Sequence, residues 1–356
     1  MIKAHHSVRF FNKVKNMRRI MIDAHEDIAY SAITFDRDYS KSAAEIRKSE
    51  QFTEIPDRNG QAMLGYSDWQ IANVGIIFST LFVMHRKYQQ ADWEKVVYKN
   101  SQEAHSLLQQ QVDYYSHLED DFPEKFVLLK KSSEYLQHWE ILKNPSLPSF
   151  PIGLVLLMEG ADGLNHPREM EDWFQKGVRI GGLAWAGGKY SGGMYESGGL
   201  TTEGRLLLEI MLDLGMGVDI AHMSEQAVYQ TLDIYDGPVL CSHANSKSLL
   251  NGHGGERHLT DTIIQRLSER DGVIGVVPYN QFLSANWTKT FPRDKVTLEQ
   301  YANHIDHICQ VTGSASHVAI GTDFDGGFGY PEVPLEFNTI GDLPKLDAIL
   351  DRKSVV

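Results

Sequence analysis

Ile20-Met21-Ile22-Asp23-Ala24-His25-Glu26-Asp27 is the stretch that decides the fold of this 356-residue chain. Its apolar residues predict a short buried strand, which runs directly into a histidine and a carboxylate two positions apart. Residues two apart on a strand point to the same side, so His25 and Asp27 can direct a nitrogen and an oxygen at one point. Two side chains that bind the same divalent metal ion must point their ligand atoms at one position in this way. A buried strand that ends in a polar turn explains this stretch equally well. Other parts of the chain are needed to distinguish this alternative from a metal site.

Seven more runs of apolar and β-branched residues follow, most of them with a helical pattern behind them. Continuous apolar runs, rather than alternating ones, are typical of parallel strands that are buried on both faces. Eight strands that alternate with helices predict an α/β protein with a (β/α)8 TIM barrel. The predicted strands are Ile20–Asp27, Val74–Val83, Ile152–Glu159, Arg179–Ala186, Gly217–His222, Val239–His243, Val273–Tyr279 and Val318–Asp323.

Two regions depart from a minimal barrel. A polar stretch at about 85–149, after the second strand, predicts an insertion of two or more helices. Residues 1–19 are basic and predict an N-terminal arm outside a single barrel domain at 20–356. After the eighth run only Leu346–Leu350 offers a helix core, so the closing helix of the barrel is expected to be short.

Composition narrows the class of protein. A formal charge of −13 argues against nucleic acid or an anionic membrane surface as the main partner. No apolar run approaches the ~18 residues of a membrane helix. The two cysteines, Cys241 and Cys309, imply no disulfide framework and a reduced compartment. We therefore expect a cytoplasmic enzyme that acts on small molecules, and the sequence leaves a homodimer open.

In barrels of this kind the functional side chains sit at the C-terminal ends of the strands. This rule selects four of the 15 histidines. Glu159 ends a very apolar strand, where a carboxylate is costly to bury without a partner such as a metal ion. The histidines and carboxylates at or just past a predicted strand end are His25, Asp27, His85, His222, His243, Glu159, Asp323 and Asp325.

The ligands suffice for two metal ions. His25 and Asp27 can hold one ion. His222 and His243 can hold the second, and Glu159 can bridge the two with its two oxygens. This donor set suits zinc, with coordination positions left open for water. Two ions ~3.5–4 Å apart lower the pKa of a shared water and polarise a substrate carbonyl.

With these residues in place, the chain resembles the renal (membrane) dipeptidase family of zinc dipeptidases, in the amidohydrolase superfamily. The resemblance covers nearly the whole chain from about Ile20 onward, and the order and spacing of its motifs are specific. The motifs are Asp23-x-His25-x-Asp27, Glu159-Gly160, Gly199-Leu200-Thr201-x-x-Gly204, Asp219-x-x-His222, Ser242-His243, Arg257 and Gly321-x-Asp323-Phe324-Asp325-Gly326.

The resemblance implies a zinc dipeptidase that hydrolyses the amide bond of dipeptides or dipeptide-like molecules. It implies two zinc ions per chain, held by the five ligands grouped above, and a metal-bridging hydroxide as the nucleophile. Asp323 matches the acid/base that handles the proton of the bridging water. Arg257 matches the arginine that engages the carboxylate end of the substrate, and Tyr279 lines the same pocket.

The fourth strand departs from the family pattern. The family usually has a Leu-Thr-His sequence there, whose histidine polarises the scissile carbonyl, and this chain has Leu183-Ala184-Trp185. An indole donates one hydrogen bond but carries no positive charge. We therefore expect Trp185 to contact the substrate and to alter its selection.

Two alternatives stay open from the sequence. One is another amidohydrolase, such as a deacetylase or a lactonase, although these commonly open with His-x-His and often bridge with a modified lysine on the fourth strand. His25-x-Asp27 and the bridging candidate Glu159 disfavour that reading. The other is a binding protein that has the same barrel but no longer catalyses hydrolysis. The observation that favours it is Trp185, which stands where the family usually has histidine.

Overall fold

The computed structural model describes residues 18–353. Its central sheet contains eight parallel barrel strands. They are β1 (Met21–Glu26), β2 (Val74–Phe82), β3 (Ile152–Glu159), β4 (Val178–Gly182), β5 (Gly217–Asp219), β6 (Val239–Leu240), β7 (Ile274–Val276) and β8 (Val318–Ile320). Their order in the sheet is β7-β8-β1-β2-β3-β4-β5-β6, and a bridge between Cys241 and Ile274 completes the ring. The predicted TIM barrel is thus confirmed, because each predicted run contributes one strand.

The longest pairing in the barrel joins β2 to β3. Seven consecutive residue pairs run from Ile76 opposite Gly153 to Phe82 opposite Glu159. Both strands are almost entirely buried, which explains their unbroken apolar sequences. The register brings the C-terminal ends of the two strands to one edge, so Glu159 emerges beside the aromatic ring of Phe82.

Helices cover the outside of the barrel, and side-chain caps fix where several of them begin. Thr201 accepts a hydrogen bond from the backbone N–H of Gly204, and Thr297 and Gln300 form the capping box that the sequence predicts. The α-helices are Ile28–Phe35, Ala43–Glu50, Ile55–Asn59, Tyr66–Ala72, Ser101–Asp121, Ser132–Leu142, Met170–Lys176, Thr202–Asp213, Glu225–Ile234, Asp261–Ser268, Asn280–Leu283, Leu298–Thr312 and Asp347–Lys353.

The segment between β2 and β3 contains two of the longer helices and three short strands. Phe126–Leu128 pairs with the first half of β3, and Met84–His85 pairs with Val97–Tyr98. Strands of two or three residues carry no periodic pattern, so sequence reasoning registered only the helices around them. Of the predicted N-terminal arm, residues 1–17 lie outside the described residues.

The C-terminal part of the described chain adds little cover to the barrel. A 3-10 helix at Ile340–Leu346 leads into the helix Asp347–Lys353. The strand β8 is only partly buried along its length, and a groove of about 260 Å³ lies between it, β1 and this last helix. Within residues 18–353, no helix is long and apolar enough to cross a membrane.

Candidate metal centre and active site

The C-terminal ends of the barrel strands surround a cleft of about 590 Å³. The structure brings all nine predicted site residues to this cleft. His25 lies fully buried beneath its floor. The other eight line the wall, and they are Asp27, Glu159, Trp185, His222, His243, Arg257, Tyr279 and Asp323.

The first group of metal-ligand side chains comes from the end of β1. His25 Nε2 lies 3.7 Å from Asp27 Oδ1 and 3.6 Å from Glu159 Oε2. This nitrogen is buried and has no hydrogen-bond partner among the described residues. The Thr80 hydroxyl, on β2, donates to Asp27 Oδ1 and holds that carboxylate in place. His25 and Asp27 therefore face one point, as the two-residue spacing predicts.

The second group comes from the ends of β5 and β6. Glu159 Oε1 lies 2.9 Å from His222 Nε2 and 3.4 Å from His243 Nε2, and these two nitrogens are 2.7 Å apart. His222 adopts a left-handed backbone conformation (φ 64°), which is uncommon for a residue other than glycine and is found at functional sites. The two carboxylate oxygens of Glu159 thus face two separate groups of ligands.

This donor set fits a pair of divalent cations. In each group the possible ligand atoms all lie within 4.8 Å of one another. Buried carboxylates require a cationic partner, and the buried Nε2 of His25, which has no hydrogen-bond partner among the described residues, lies in their midst. Asp219 also lies within this distance of His25 and His243. Its oxygens, however, accept hydrogen bonds from Ser242 and from the backbone, so Asp219 does not face the centre.

The pKa values follow from burial and from the carboxylates. Burial lowers the pKa of His222 to about 4 and that of His243 well below its ordinary range. Burial also acts to lower the pKa of His25, but the charges of Glu159 and Asp27 raise it to about 10. His222 and His243 are therefore neutral imidazoles. A bound divalent cation would displace the proton of His25, because both neutralise the same carboxylates.

Asp323 faces the same centre from the end of β8. Its backbone N–H donates to the carbonyl of His25 (3.0 Å), and its Oδ1 lies 4.0 Å from His25 Nε2. Burial raises the pKa of Asp323 well above its ordinary range, and the carboxylates of Asp27 and Glu159 raise it further. Gly326 passes so close that a Cβ there would collide with Asp323 Oδ1 and approach Asp27 Oδ2 to 2.8 Å. Only glycine allows this approach.

The sequence matches one protein family, described as membrane dipeptidase (Peptidase family M19), over residues 10–355. The chain belongs to the membrane dipeptidase family. The match covers nearly the whole chain, so the resemblance inferred from the motifs is confirmed.

Relatives with dipeptidase names cover part of the chain. The uncharacterized dipeptidase C3A11.10c of Schizosaccharomyces pombe is 29% identical over 234 residues, which cover 63% of this chain and 52% of that protein. Dipeptidase verJ of Clonostachys rogersoniana is 28% identical over 227 residues, which cover 61% of this chain and 52% of that protein. The chain thus spans about half the length of these relatives.

Solved structures share the whole barrel. A metallo peptidase from Rhodobacter sphaeroides, solved with a phosphinate mimic of the dipeptide L-Ala-D-Ala, superposes with a TM-score of 0.74 at 17% identity and covers 94% of this chain and 93% of that one. Dipeptidase AC, a metallo peptidase of family M19, gives 0.74 at 18% identity and covers 94% of this chain and 92% of that one. At 17% and 18% identity, this similarity shows that the chain shares the fold of these two proteins.

Two of the residues at strand ends lie outside the centre of this membrane dipeptidase family member. Asp325 follows Asp323 by two positions but points away, where its carboxylate accepts from Tyr39 Oη (3.0 Å) and the backbone N–H of Met63 (2.8 Å) and pairs with Arg37 (3.2 Å). Its role is to anchor the loop after β8.

His85 sits on the short strand Met84–His85 and packs edge-on against Tyr98, with the ring centroids 5.0 Å apart. Its Nδ1 accepts a hydrogen bond from the backbone N–H of Lys87. It lines a separate cavity of about 220 Å³.

Arg257 and Tyr279 form the wall of the cleft beyond β6 and β7. The buried guanidinium of Arg257 donates to the carbonyl of His243 through Nη1 (2.8 Å). The ring of Tyr279 stacks on Phe328 with the centroids 4.2 Å apart, and its hydroxyl donates to Glu332 (3.4 Å). These contacts hold a cation and an aromatic face at one side of the candidate metal centre.

Trp185 forms the opposite wall as part of an aromatic cluster. Its ring lies edge-on to Phe82 (5.2 Å between centroids), Tyr88 (6.0 Å) and Tyr195 (5.6 Å), and 6.0 Å from the ring of His222. Rings in this arrangement contribute attraction beyond their buried area. These aromatic contacts therefore hold Trp185 in place in the wall of the cleft.

Three polar residues that the sequence motifs include, but to which the sequence assigned no role, support the centre from behind. Asp23 accepts hydrogen bonds from the backbone N–H (2.8 Å) and the hydroxyl (2.6 Å) of Thr322, which ties β1 to β8. Asp219 accepts from Ser242, which contacts His25 and His243. A polar residue inside an apolar strand was the available signal, but it does not tell which neighbour the side chain meets.

Proposed function

We propose that this chain is a zinc-dependent dipeptidase that hydrolyses the amide bond of dipeptides or dipeptide-like molecules. The observation that carries the proposal is the convergence of two imidazole and carboxylate groups on Glu159, with His25 Nε2 left unpartnered. Membership of the membrane dipeptidase family supports it. So does the Rhodobacter sphaeroides structure, which has the same fold and holds a mimic of a dipeptide.

In this proposal His25 and Asp27 would hold one zinc ion. His222 and His243 would hold the other, and Glu159 would contribute a ligand to both. When bound, the two ions would lower the pKa of a water molecule and polarise the scissile carbonyl.

The proton-transfer step belongs to Asp323. Its carboxylate accepts a proton from the attacking water and returns it to the leaving amine nitrogen as the amide C–N bond breaks. Burial raises the pKa of Asp323, which favours uptake of the proton by this carboxylate. The pinned backbone of Asp323 and the close approach of Gly326 keep the carboxylate beside the ligands.

The deciding experiment combines metal analysis with a substrate panel. Protein purified without chelator should contain close to two zinc equivalents, and it should hydrolyse members of a panel of L-L and L-D dipeptides with added zinc. A zinc content near zero after reconstitution would contradict the two-metal site. Metal uptake with no turnover on the panel would favour the catalytically weakened binding protein.

Cysteine chemistry and net charge support two further parts of the proposal. Both cysteines are free thiols, Cys241 buried and Cys309 partly so, which supports a cytoplasmic location. The acidic charge supports a small peptide substrate rather than nucleic acid. A homodimer, the domain limits at 20–356 and the helical insertion at about 85–149 stay predictions.

Arg257 leads to a prediction about the carboxylate end of the substrate. A guanidinium grips a carboxylate through hydrogen bonds that a lysine ammonium cannot reproduce. We expect C-terminally amidated dipeptides, and the variant Arg257→Lys with free dipeptides, to show kcat/KM about 10–100-fold lower, the value of losing a charged hydrogen bond of ~1.5–3 kcal/mol. Arg266→Lys, at an arginine that pairs with Asp233 on the surface, is the control. Equal rates on free and amidated dipeptides would assign the protein to general amidases.

Trp185 leads to a prediction about substrate preference. Because its indole is packed by three other aromatic rings, we expect Trp185→His to open the pocket rather than to restore an oxyanion donor. The variant should lower kcat/KM on the preferred dipeptide by about 10–200-fold, the range for a lost pocket contact, and should accept more kinds of side chain. A rate gain across the whole panel with an unchanged order of preference would show that the indole only fills space.

A further inference from the structure

Ser242 has a position that the proposed mechanism does not use. Its hydroxyl is fully buried and lies 2.5 Å from Asp219 Oδ2, 2.7 Å from His243 Nδ1 and 3.1 Å from His25 Nδ1. The two histidines come from β1 and from the end of β6, and the proposal assigns them to different ions. One hydroxyl oxygen is therefore shared by a ligand of each ion.

The direction of each hydrogen bond follows from counting hydrogens. A serine hydroxyl has one hydrogen to donate and two lone pairs to accept with, and a carboxylate only accepts. Asp219 Oδ1 accepts from the backbone N–H groups of Ser242 (2.9 Å) and Ala221 (3.0 Å), which favours the ionised carboxylate. The hydrogen of Ser242 must then go to Asp219 Oδ2. Its two lone pairs remain to accept from His25 and His243.

This arrangement places a hydrogen on Nδ1 of both imidazoles. In a neutral imidazole the other nitrogen, Nε2, then carries the lone pair that binds a metal. These are the nitrogens that face Glu159, at 3.6 Å for His25 and 3.4 Å for His243. The opposite tautomer would point an N–H at the ion. His222 has no such partner, because its Nδ1 meets the weakly accepting sulfur of Met194 at 3.0 Å.

We propose that Ser242, oriented by Asp219, fixes the tautomers of His25 and His243 together and so sets the affinity of both ion sites. Ser242 is a positioning residue that acts through the imidazoles. The inference rests on the two-metal function proposed above and extends it from the ligands to the group behind them. It predicts that a single hydroxyl couples two ions held by different strands.

The first test measures zinc affinity rather than turnover. Stepwise zinc dissociation constants are measured by competition with chelators of graded strength for the wild type and for Ser242→Ala. We expect both constants to rise about 10–100-fold, the usual cost of removing a hydrogen-bonding partner behind a metal ligand. Unchanged constants, or a change confined to the ion held by His243, would overturn the inference.

Ser246→Ala is the matched control. Its hydroxyl is equally buried, it lies four positions further along, and it has no hydrogen-bond partner among the described residues. Loss of this hydroxyl should leave both zinc constants unchanged. A similar weakening in both variants would mean that any buried serine near the end of β6 matters for packing, and would count against the assignment.

The second readout is the tautomer itself, observed by 15N NMR of the imidazole nitrogens. In the zinc-loaded wild type, His25 and His243 should each carry hydrogen on Nδ1, and hydrogen on Nε2 of either would overturn the inference. If the wild type takes up no zinc, the proposed function fails. The position of the hydrogen on His243 in the metal-free protein then still decides the hydrogen-bond assignment, with Nε2 against it.

Discussion

Replacing Asp323 with asparagine is expected to lower kcat by about 10²–10⁴-fold, the usual contribution of general acid–base catalysis. Asparagine has nearly the same shape but cannot take up the proton of the attacking water. The backbone bond to His25 and the fit against Gly326 do not depend on the charge, so the loop should keep its position. Zinc content should stay at two equivalents.

Measuring the zinc content distinguishes the loss of proton transfer from the loss of a metal ligand. Loss of one zinc equivalent in Asp323→Asn would make Asp323 a ligand and would remove its assignment as the proton carrier. Asp294→Asn, at an exposed carboxylate near Lys295 (3.5 Å), controls for the change of charge. The effect should appear in kcat more than in KM, since Asp323 acts on the reaction rather than on binding.

Replacing Glu159 with glutamine is expected to remove both zinc ions and all measurable hydrolysis. One side chain serves both ligand groups, because Oε1 faces His222 and His243 while Oε2 faces His25. An amide presents an NH2 group to one of them, which repels a cation and carries no negative charge. Elemental analysis after dialysis should give well below one equivalent, and activity should not return in excess zinc.

Single-ligand variants provide the comparison. His25→Ala and His243→Ala each remove a ligand from one proposed ion, so each should weaken one site while the other keeps its metal. If Glu159→Gln retained one tightly bound zinc ion, the carboxylate would be a terminal ligand of the other ion, and the bridging role would be wrong.

The barrel and the positions of the candidate ligands were predictable because two regularities of the sequence are enough for both. Unbroken apolar runs such as Ile152–Glu159 mark parallel strands buried on both faces, and ligand-type residues at their ends share one edge of the sheet. The two-residue spacing of His25 and Asp27 needed no knowledge of distant contacts. The structure brings both residues together with the group from β5 and β6.

The contacts behind the ligands were not predictable in this way. Whether Ser242 meets Asp219, His25 or solvent depends on the register between strands more than 20 residues apart in sequence. The same spacing rule that works for His25 and Asp27 fails for Asp323 and Asp325, because both have left-handed backbones (φ 54° and 64°) and no longer follow strand alternation. Asp325 therefore turns away from the candidate metal centre and is buried against Tyr39, Met63 and Arg37.

The aromatic contacts of Trp185 could not be predicted from the sequence either. Trp185 could be identified as a departure from the family pattern, but its partners Tyr88 and Tyr195 come from two different loops. Nothing in either loop marks those tyrosines as neighbours of the indole. Only the structure therefore shows how Trp185, which stands where the family usually has histidine, is packed.

The short join between β6 and β7 lies directly before two residues of the proposed metal centre, so zinc binding should stabilise the closed barrel there. β6 has only two residues, and the ring closes there through a few backbone bonds, such as that from Gly275 N–H to the carbonyl of Cys241 (2.8 Å). Ser242 and His243 follow directly. An ion that binds only the closed form stabilises it by ~2.7 kcal/mol when its free concentration is 100 times the dissociation constant. Amide hydrogen exchange at Cys241 and Gly275 should therefore slow as the zinc concentration rises, because the proposed ions would stabilise this short join of the barrel as well as take part in the chemistry.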